Sequence, residues 1–128
     1  MITEGMSITV KETVTEENTA LALGSGSLKV YGSPAMFLFV ERAAVTLLEG
    51  NLDGNMTSVG TGLYMDHIAP SPVGSQISCQ VTLSKIDRKK LTFDVEISDE
   101  LEVVGKGSHC RFIVDGERFQ TKADNKIS

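Results

Sequence analysis

The chain has no tryptophan, only two cysteines and three prolines, and fewer basic residues (12) than acidic ones (17) among its 128 positions. Two cysteines are too few for a disulfide scaffold and are typical of a reducing cytoplasm. A net charge of −5 without a long basic run argues against nucleic acid as a partner. The longest apolar run, residues 35–40, is far shorter than the roughly 20 residues that span a membrane, so we expect no membrane partner.

The composition that remains is that of an ordinary globular protein. Hydrophobic residues make up 41% of the chain and charged residues 23%, which excludes wholesale disorder. The length predicts one domain over residues 1–128. Glu4 and Gly5 interrupt the start of the chain, so we expect no signal peptide and a cytoplasmic location.

One helix is strongly predicted between Ser33 and Gly50. Ser33 is a good N-cap, Pro34 suits the first helical position, and Gly50 suits a left-handed cap. Eleven of the sixteen residues 34–49 are apolar, so the helix shows almost no polar face. We therefore expect a central helix that is enclosed on most sides.

The rest of the chain predicts strands. Residues 7–14 are rich in β-branched side chains, and residues 28–31 predict a second, short strand. Four later segments alternate with period two, with these residues on shared faces: Val59, Thr61, Leu63, Met65 and His67; Ile77, Cys79, Val81 and Leu83; Leu91, Phe93, Val95 and Ile97; Val104, Cys110, Phe112 and Val114, opposite His109 and Arg111. Short turns between them favour an antiparallel meander. The fold class is therefore α+β, with an antiparallel sheet wrapped around one helix.

Glu41 is the most informative residue for function. Its neighbours one helical turn away are all apolar: Phe37, Leu38, Ala44 and Val45. A buried carboxylate there would have a raised pKa and would suit a general base. The alternative is a structural ion pair at a subunit interface, for which an arginine from elsewhere is a candidate partner. Arg42 is not that partner, because adjacent helical residues point about 100° apart.

Ser33 and His67 are the other candidates for catalysis. His67 precedes a proline loop and could act as acid, base or donor, or could simply bind a backbone carbonyl. Ser33 caps a helix, whose free amides at Ala35 or Met36 could polarise a carbonyl oxygen. Ser33 and Glu41 lie eight positions apart, roughly 12 Å along a helix axis. A site that uses both needs either a substrate that spans them or a second subunit.

The other polar features give weaker signals. His109 is treated as structural, and neither it nor His67 has a second ligand at zinc spacing, so we expect no metal and no other cofactor. Gly60 lies inside a strand, where glycine often marks a close approach of a ligand or backbone. The basic segment 85–90 predicts a solvated hairpin that could also meet the phosphates of a nucleotide-bearing substrate.

Three segments together resemble a known family: YGSPAM with VERAA, then SVGTGLYMDHIAPSPVG, then GKGSHCRFIV. Over residues 27–119 the chain resembles hot-dog-fold thioesterases, in the branch that includes fluoroacetyl-CoA thioesterase. The resemblance implies hydrolysis of a small to medium acyl-CoA thioester at a homodimer interface, and it leaves pairing of dimers into tetramers open. It also implies a set of site residues: Ser33, Glu41 and His67 as the catalytic set, and Gly60 and Arg111 as substrate contacts.

Two positions depart from that branch. Its catalytic hydroxyl belongs to threonine, whereas Ser33 lacks the methyl group that restricts the rotamer. Its phenylalanine-bearing lid corresponds to residues 24–27, Gly-Ser-Gly-Ser, so we do not expect fluoroacetyl specificity. Two other functions stay open: a non-catalytic module that binds acyl-CoA, and a hydratase or dehydratase on the same fold.

Overall fold

A five-stranded antiparallel sheet forms the body of the protein in the computed structural model, which describes residues 1–127. Its strands are β1 (Ser7–Thr13), β2 (Met56–His67), β3 (Gln76–Asp87), β4 (Lys90–Ser98) and β5 (Val103–Asp115). The helices are α1 (Ala20–Leu23), α2 (Ser33–Leu48) and α3 (Gly116–Asp124), and Glu16–Asn18 form a single 3₁₀ turn. The predicted α+β class and antiparallel sheet are confirmed.

The order of strands across the sheet is β1-β3-β4-β5-β2. The predicted meander is correct for β3, β4 and β5, which pair consecutively. It is wrong for β2, which pairs with β5 at the far edge instead of with β3. The edge next to β3 is filled by β1. Within residues 1–127, strand β2 therefore has a hydrogen-bonded neighbour on one side only.

Helix α2 packs one face on the sheet, and the core lies between them. The inward residues of β3 and β4 are the predicted ones and are almost fully buried: Ile77, Cys79, Val81, Leu83, Leu91, Phe93, Val95 and Ile97. Enclosure of the helix is incomplete, however, because Leu38 is 48% and Val45 is 42% exposed. One sheet covers one side of a helix, and the opposite side of α2 is left open by the described residues of this chain.

The predicted ends of α2 are nearly correct. The N-cap is Gly32 rather than Ser33, so Ser33 is the first helical residue and its side chain makes no cap hydrogen bond. At the other end Gly50 has φ of +72°, as the predicted left-handed conformation requires.

Residues 28–31 do not form the predicted strand. Val30 and Tyr31 make isolated bridges to Pro72 and Thr19, and α1 takes up the nearby carbonyls: the Ala20 N–H donates to the Val30 oxygen at 2.8 Å. Helices α1 and α3 were not predicted from the sequence. No helix within residues 1–127 is both long and apolar enough to cross a membrane.

Two register shifts change which side chains share a face. A bulge between Gly60 and Gly62 leaves Thr61 without a partner on β5, so Val59 and Leu63 point to opposite sides of the sheet. The prediction of one shared face for Val59 to His67 is therefore wrong. A second shift, opposite Ser98, buries Val104 while Phe112 stays 41% exposed, so the predicted grouping of Val104 with Phe112 is also wrong.

Candidate active site

Ser33 and His67 form a hydrogen-bonded pair. Ser33 opens α2, His67 ends β2, and Ser33 Oγ lies 2.8 Å from His67 Nδ1. Both residues line a cavity of about 310 Å³ together with Tyr31 and residues 68–70. The Tyr31 ring meets the imidazole edge-on, with 6.4 Å between ring centroids. This arrangement fixes the imidazole plane at the cavity wall.

The other ring nitrogen of His67 is not satisfied by the described part of the chain. Nε2 is buried and has no hydrogen-bond partner within residues 1–127. Burial lowers the pKa of His67, which favours the neutral ring at neutral pH. A buried polar atom without a partner is costly and suits a group that binds a ligand.

The helix start offers a more limited set of amides than expected. The Met36 N–H already donates to the Gly32 carbonyl at 3.0 Å. Of the two amides named from the sequence, this leaves Ala35 as the candidate to face a substrate oxygen.

A second cluster surrounds the guanidinium of Arg111, which is 5% exposed. Arg111 Nε donates to Ser58 Oγ at 2.8 Å, and a terminal nitrogen donates to the Ser58 carbonyl at 3.0 Å. The NH1 nitrogen lies 3.6 Å from Glu41 Oε2. Burial lowers the pKa of Arg111, while the carboxylate of Glu41 opposes that shift. A buried cation needs such partners.

Glu41 is less buried than the sequence predicts. Its side chain is 46% exposed, because it lies at the margin of the open side of α2. The expectation of a desolvated carboxylate is wrong in this respect. Glu41 does pair with a distant arginine, but this is Arg111 of the same chain and not a pair across the expected subunit interface. The Glu41–Arg111 separation exceeds a good hydrogen bond, so carboxylate lone pairs remain available.

His109 belongs to the same cluster, whereas the sequence favoured a structural role for it. It is 1% exposed, its Nδ1 lies 2.8 Å from the Gly62 oxygen, and its Nε2 lies 3.1 Å from Arg111 NH1. Burial lowers the pKa of His109, and the charge of Arg111 lowers it further. The available signal was the strand alternation itself, which puts His109 and Arg111 on the same face.

Gly60 lies directly against these groups. A Cβ atom on Gly60 would be 2.6 Å from Glu41 Oε2 and 3.4 Å from Arg111 NH1. A contact under 3 Å does not occur at real Cβ atoms, so any side chain here displaces the carboxylate. A close approach does occur at this glycine, but the group that approaches is the Glu41 side chain rather than the predicted ligand or backbone.

The two clusters face different cavities within one chain. Glu41 and Arg111 line a cavity of about 470 Å³ that also contains Leu38, Arg42 and Val45. Ser33 and His67 line the other cavity. The structure thus brings Ser33 to His67, and Glu41 to Arg111 and Gly60, as two separate groups.

The basic segment 85–90 is a hairpin, as predicted, with Asp87 paired to Lys90 and a left-handed Arg88 at φ of +57°. Across residues 1–127 no three His, Cys, Asp or Glu side chains cluster as metal ligands do.

Comparison with known proteins shows what this arrangement is similar to. The profile of a family described as fluoroacetyl-CoA-specific thioesterase matches residues 14–117. A curated relative, the fluoroacetyl-CoA thioesterase of Streptantibioticus cattleyicolor, is 26% identical over 98 residues, which is 77% of this chain and 70% of the relative.

Solved structures confirm the hot-dog fold. A structure of the fluoroacetyl-CoA thioesterase superposes with a TM-score of 0.91 at 23% identity and covers 98% of both chains. A hot-dog-like protein from Thermanaerovibrio acidaminovorans superposes with a TM-score of 0.90 at 17% identity, over 98% of this chain and 93% of that one.

Proposed function

The chain belongs to the family of fluoroacetyl-CoA-specific thioesterases, and from this membership we propose that it hydrolyses an acyl-CoA thioester to a free acid and coenzyme A. The single observation that supports this best is the partly exposed Glu41 carboxylate beside the buried Arg111 guanidinium, 3.6 Å away. Substrate can reach such a carboxylate, while the positive charge of Arg111 keeps it in place.

Glu41 supplies the electron pair in this proposal. It removes a proton from water, whose oxygen then adds to the acyl carbon, or it attacks that carbon itself and water completes the reaction. In both routes the carbon–sulfur bond breaks and the departing thiolate takes up a proton. Both routes need a carboxylate with free lone pairs, which the long distance to Arg111 leaves.

Ser33 and His67 act on the carbonyl and the leaving group. The Ser33 hydroxyl holds the imidazole through Nδ1, and the unpartnered Nε2 is then the nitrogen that faces the reaction. We assign to His67 the stabilisation of developing negative charge or the protonation of the thiolate. Gly60 and Arg111 keep the predicted role of substrate contacts.

The active unit in this proposal is a homodimer. Ser33 with His67, and Glu41 with Arg111, line different cavities within one chain, which supports a site shared between two copies over a substrate that spans both cavities of one copy. Strand β2 carries both Gly60 and His67 and lies at an edge of the sheet, where its outer hydrogen-bonding groups are available for another chain. The exposed Leu38 and Val45 of α2 supply apolar surface for such a contact.

The proposed substrate and location rest on the charge of the chain and on its cysteines. The basic hairpin at 85–90 is the proposed contact for the phosphates of coenzyme A in a chain of net charge −5. Both cysteines are free, and burial raises the pKa of the Cys79 thiol to about 12, so this thiol stays protonated. Free thiols fit the proposed cytoplasmic location.

The test is release of free thiol from short, branched, aromatic and long acyl-CoA substrates. The wild-type protein should release thiol, and Glu41→Gln should lower kcat by about 10² or more, as expected when a general base is lost. Glu117→Gln is the matched control, because Glu117 is an exposed glutamate on α3. Unchanged turnover in Glu41→Gln would refute its role.

Two other outcomes would refute hydrolysis itself. Binding of acyl-CoA without thiol release would show a non-catalytic module. A change in enoyl absorbance without thiol release would show a hydratase or dehydratase.

A further inference from the structure

We propose that His109 is a positioning residue, which orients the Arg111 guanidinium and through it sets the distance between Arg111 and the Glu41 carboxylate. The inference rests on the proposed function, because it assigns a task in the same reaction. His109 does not touch Glu41 through a hydrogen bond. It acts by occupying one donor of Arg111, with 3.1 Å between Nε2 and NH1.

The two contacts of His109 define its protonation. Arginine nitrogens only donate, so Nε2 of His109 accepts the hydrogen bond from Arg111. The Gly62 carbonyl only accepts, so Nδ1 carries the proton and donates to it at 2.8 Å. His109 is therefore neutral, with its proton on Nδ1. A protonated ring would direct an N–H at the guanidinium and break the contact.

The ring has little freedom to leave this orientation. It is 1% exposed and stacks on Phe93, with centroids 6.0 Å apart and ring planes 27° apart. Its Cε1 atom lies 3.4 Å from the position of a Cβ atom on Gly60. The bond to Gly62 also ties the ring to the bulged part of β2. His109 thus links the bulge on β2 to the guanidinium on β5.

Three N–H groups of the Arg111 guanidinium donate to groups other than Glu41. A guanidinium has five N–H groups. One is taken by Ser58 Oγ, one by the Ser58 carbonyl and one by His109. Three acceptors around a planar group fix the plane, and the remaining hydrogens face Glu41 and the open cavity.

Removal of the His109 acceptor would free an NH1 hydrogen next to Glu41. Because a buried donor without a partner is costly, the guanidinium would turn toward the nearest acceptor, the carboxylate. A closer, charge-assisted hydrogen bond would then occupy the lone pair that the reaction uses. We expect kcat to fall, with a smaller effect on KM.

Two amide substitutions separate the two contacts of His109. In His109→Gln the side-chain oxygen can take the place of Nε2 and accept from Arg111. In His109→Asn the shorter amide can take the place of Nδ1 and donate to Gly62, but it does not reach Arg111. Both variants bury an amide in the same place, so a purely structural role predicts similar losses from both.

The experiment measures thiol release and thermal unfolding for both variants, alone and combined with Arg111→Met. We expect His109→Asn to lower kcat at least about tenfold, since small misplacement of a reacting group is costly. His109→Gln should stay much closer to wild type. In the Arg111→Met background, His109→Asn should cause no further loss of kcat, because the residue acts through Arg111.

Equal losses of kcat in His109→Gln and His109→Asn would overturn the inference, as would a full additional loss in the Arg111→Met background. If His109→Asn does not fold, His109→Gln with less than half of wild-type kcat at unchanged melting temperature would overturn it as well. All of these outcomes concern the variants and are compatible with thiol release by the wild-type protein. Absence of thiol release in the wild-type protein would instead refute the proposed function.

Discussion

Gly60 and Glu41 are in such close contact that a Cβ atom on Gly60 would lie 2.6 Å from Glu41 Oε2. The two residues belong to β2 and α2, and the atom in contact is the end of a long, half-exposed side chain, so a methyl group at position 60 would move the carboxylate rather than the helix. The absence of a side chain at position 60 thus leaves room for the carboxylate of Glu41 beside Arg111.

Gly60→Ala should therefore impair catalysis by moving Glu41. The added methyl group displaces the carboxylate from its place beside Arg111, and we expect kcat to fall by about 10-fold to 100-fold. Gly62→Ala is the control, because its Cβ would find its nearest neighbour at 3.9 Å, an ordinary contact. Thiol-release assays on both variants provide the comparison. Equal kcat values for the two would show that the contact has no role.

Ser33→Ala and Ser33→Thr test the hydroxyl that holds His67. Ser33 Oγ lies 2.8 Å from His67 Nδ1, so alanine removes a hydrogen-bond partner of the imidazole while threonine keeps the oxygen. We expect Ser33→Ala to lower kcat by about tenfold or more, the scale of a lost orienting contact. Ser33→Thr should retain most of the turnover. If alanine and threonine behave alike, the hydroxyl does not position His67.

The stability of the protein should fall as the pH drops below about 6.5, the pKa of an unperturbed histidine. Burial lowers the pKa values of His67 and His109 in the folded state. Below pH 6.5 the unfolded chain takes up protons that the folded chain does not, so the free energy of unfolding decreases with falling pH. Urea denaturation between pH 7.5 and pH 5 measures this slope, above the range in which carboxylates titrate.

His109→Gln removes one of these two groups, so the dependence on pH in the same window should become shallower. A steeper or unchanged dependence in that variant would contradict the assignment of His109 as a buried neutral imidazole.

Tyr31 and Glu12 give a test of the scaffold behind His67. Tyr31 is fully buried and donates its hydroxyl hydrogen to Glu12 Oε2, and burial raises the pKa of Tyr31, so it stays protonated. Glu12→Ala leaves a buried hydroxyl without this acceptor and should destabilise the protein by about 1–3 kcal/mol. Tyr31→Phe removes the polar atom itself and should cost less. Chemical denaturation of both variants gives the order, and the reverse order would contradict this account.

Much of the fold could be predicted because local signals and burial agree. The apolar segment 34–49 with Gly50 behind it forms α2, and the alternating residues of β3 and β4 are buried as expected. Three of the candidate residues, Glu41, Gly60 and Arg111, do lie together in space.

The parts that could not be predicted depend on register and on tertiary contacts. A bulge inserts one residue and reverses the alternation, which no period-two count detects at Gly60–Gly62. Strand order is set by pairing across the sheet, so the position of β2 beside β5 was missed. Residues 28–31 do not form a strand, because two of their carbonyls accept hydrogen bonds from α1. Helix α1 is too short to show helical periodicity in the sequence.

The contacts and exposure of the site residues were harder to predict than their identities. The strand alternation places His109 on the same face as Arg111, but only their buried contact shows that His109 belongs to the site. The exposure of Glu41 depends on how far one sheet covers α2, which is a property of the packed chain.

We propose that one catalytic site uses Glu41 of one subunit with Ser33 and His67 of the other. The most direct test mixes two inactive variants, Glu41→Gln and His67→Ala, under conditions that exchange subunits, and measures thiol release. A shared site restores one intact site in each mixed dimer, so we predict recovery to about a quarter of wild-type activity. If the mixture is as inactive as the separate variants while subunit exchange is demonstrated, each site lies within one chain and the claim is wrong.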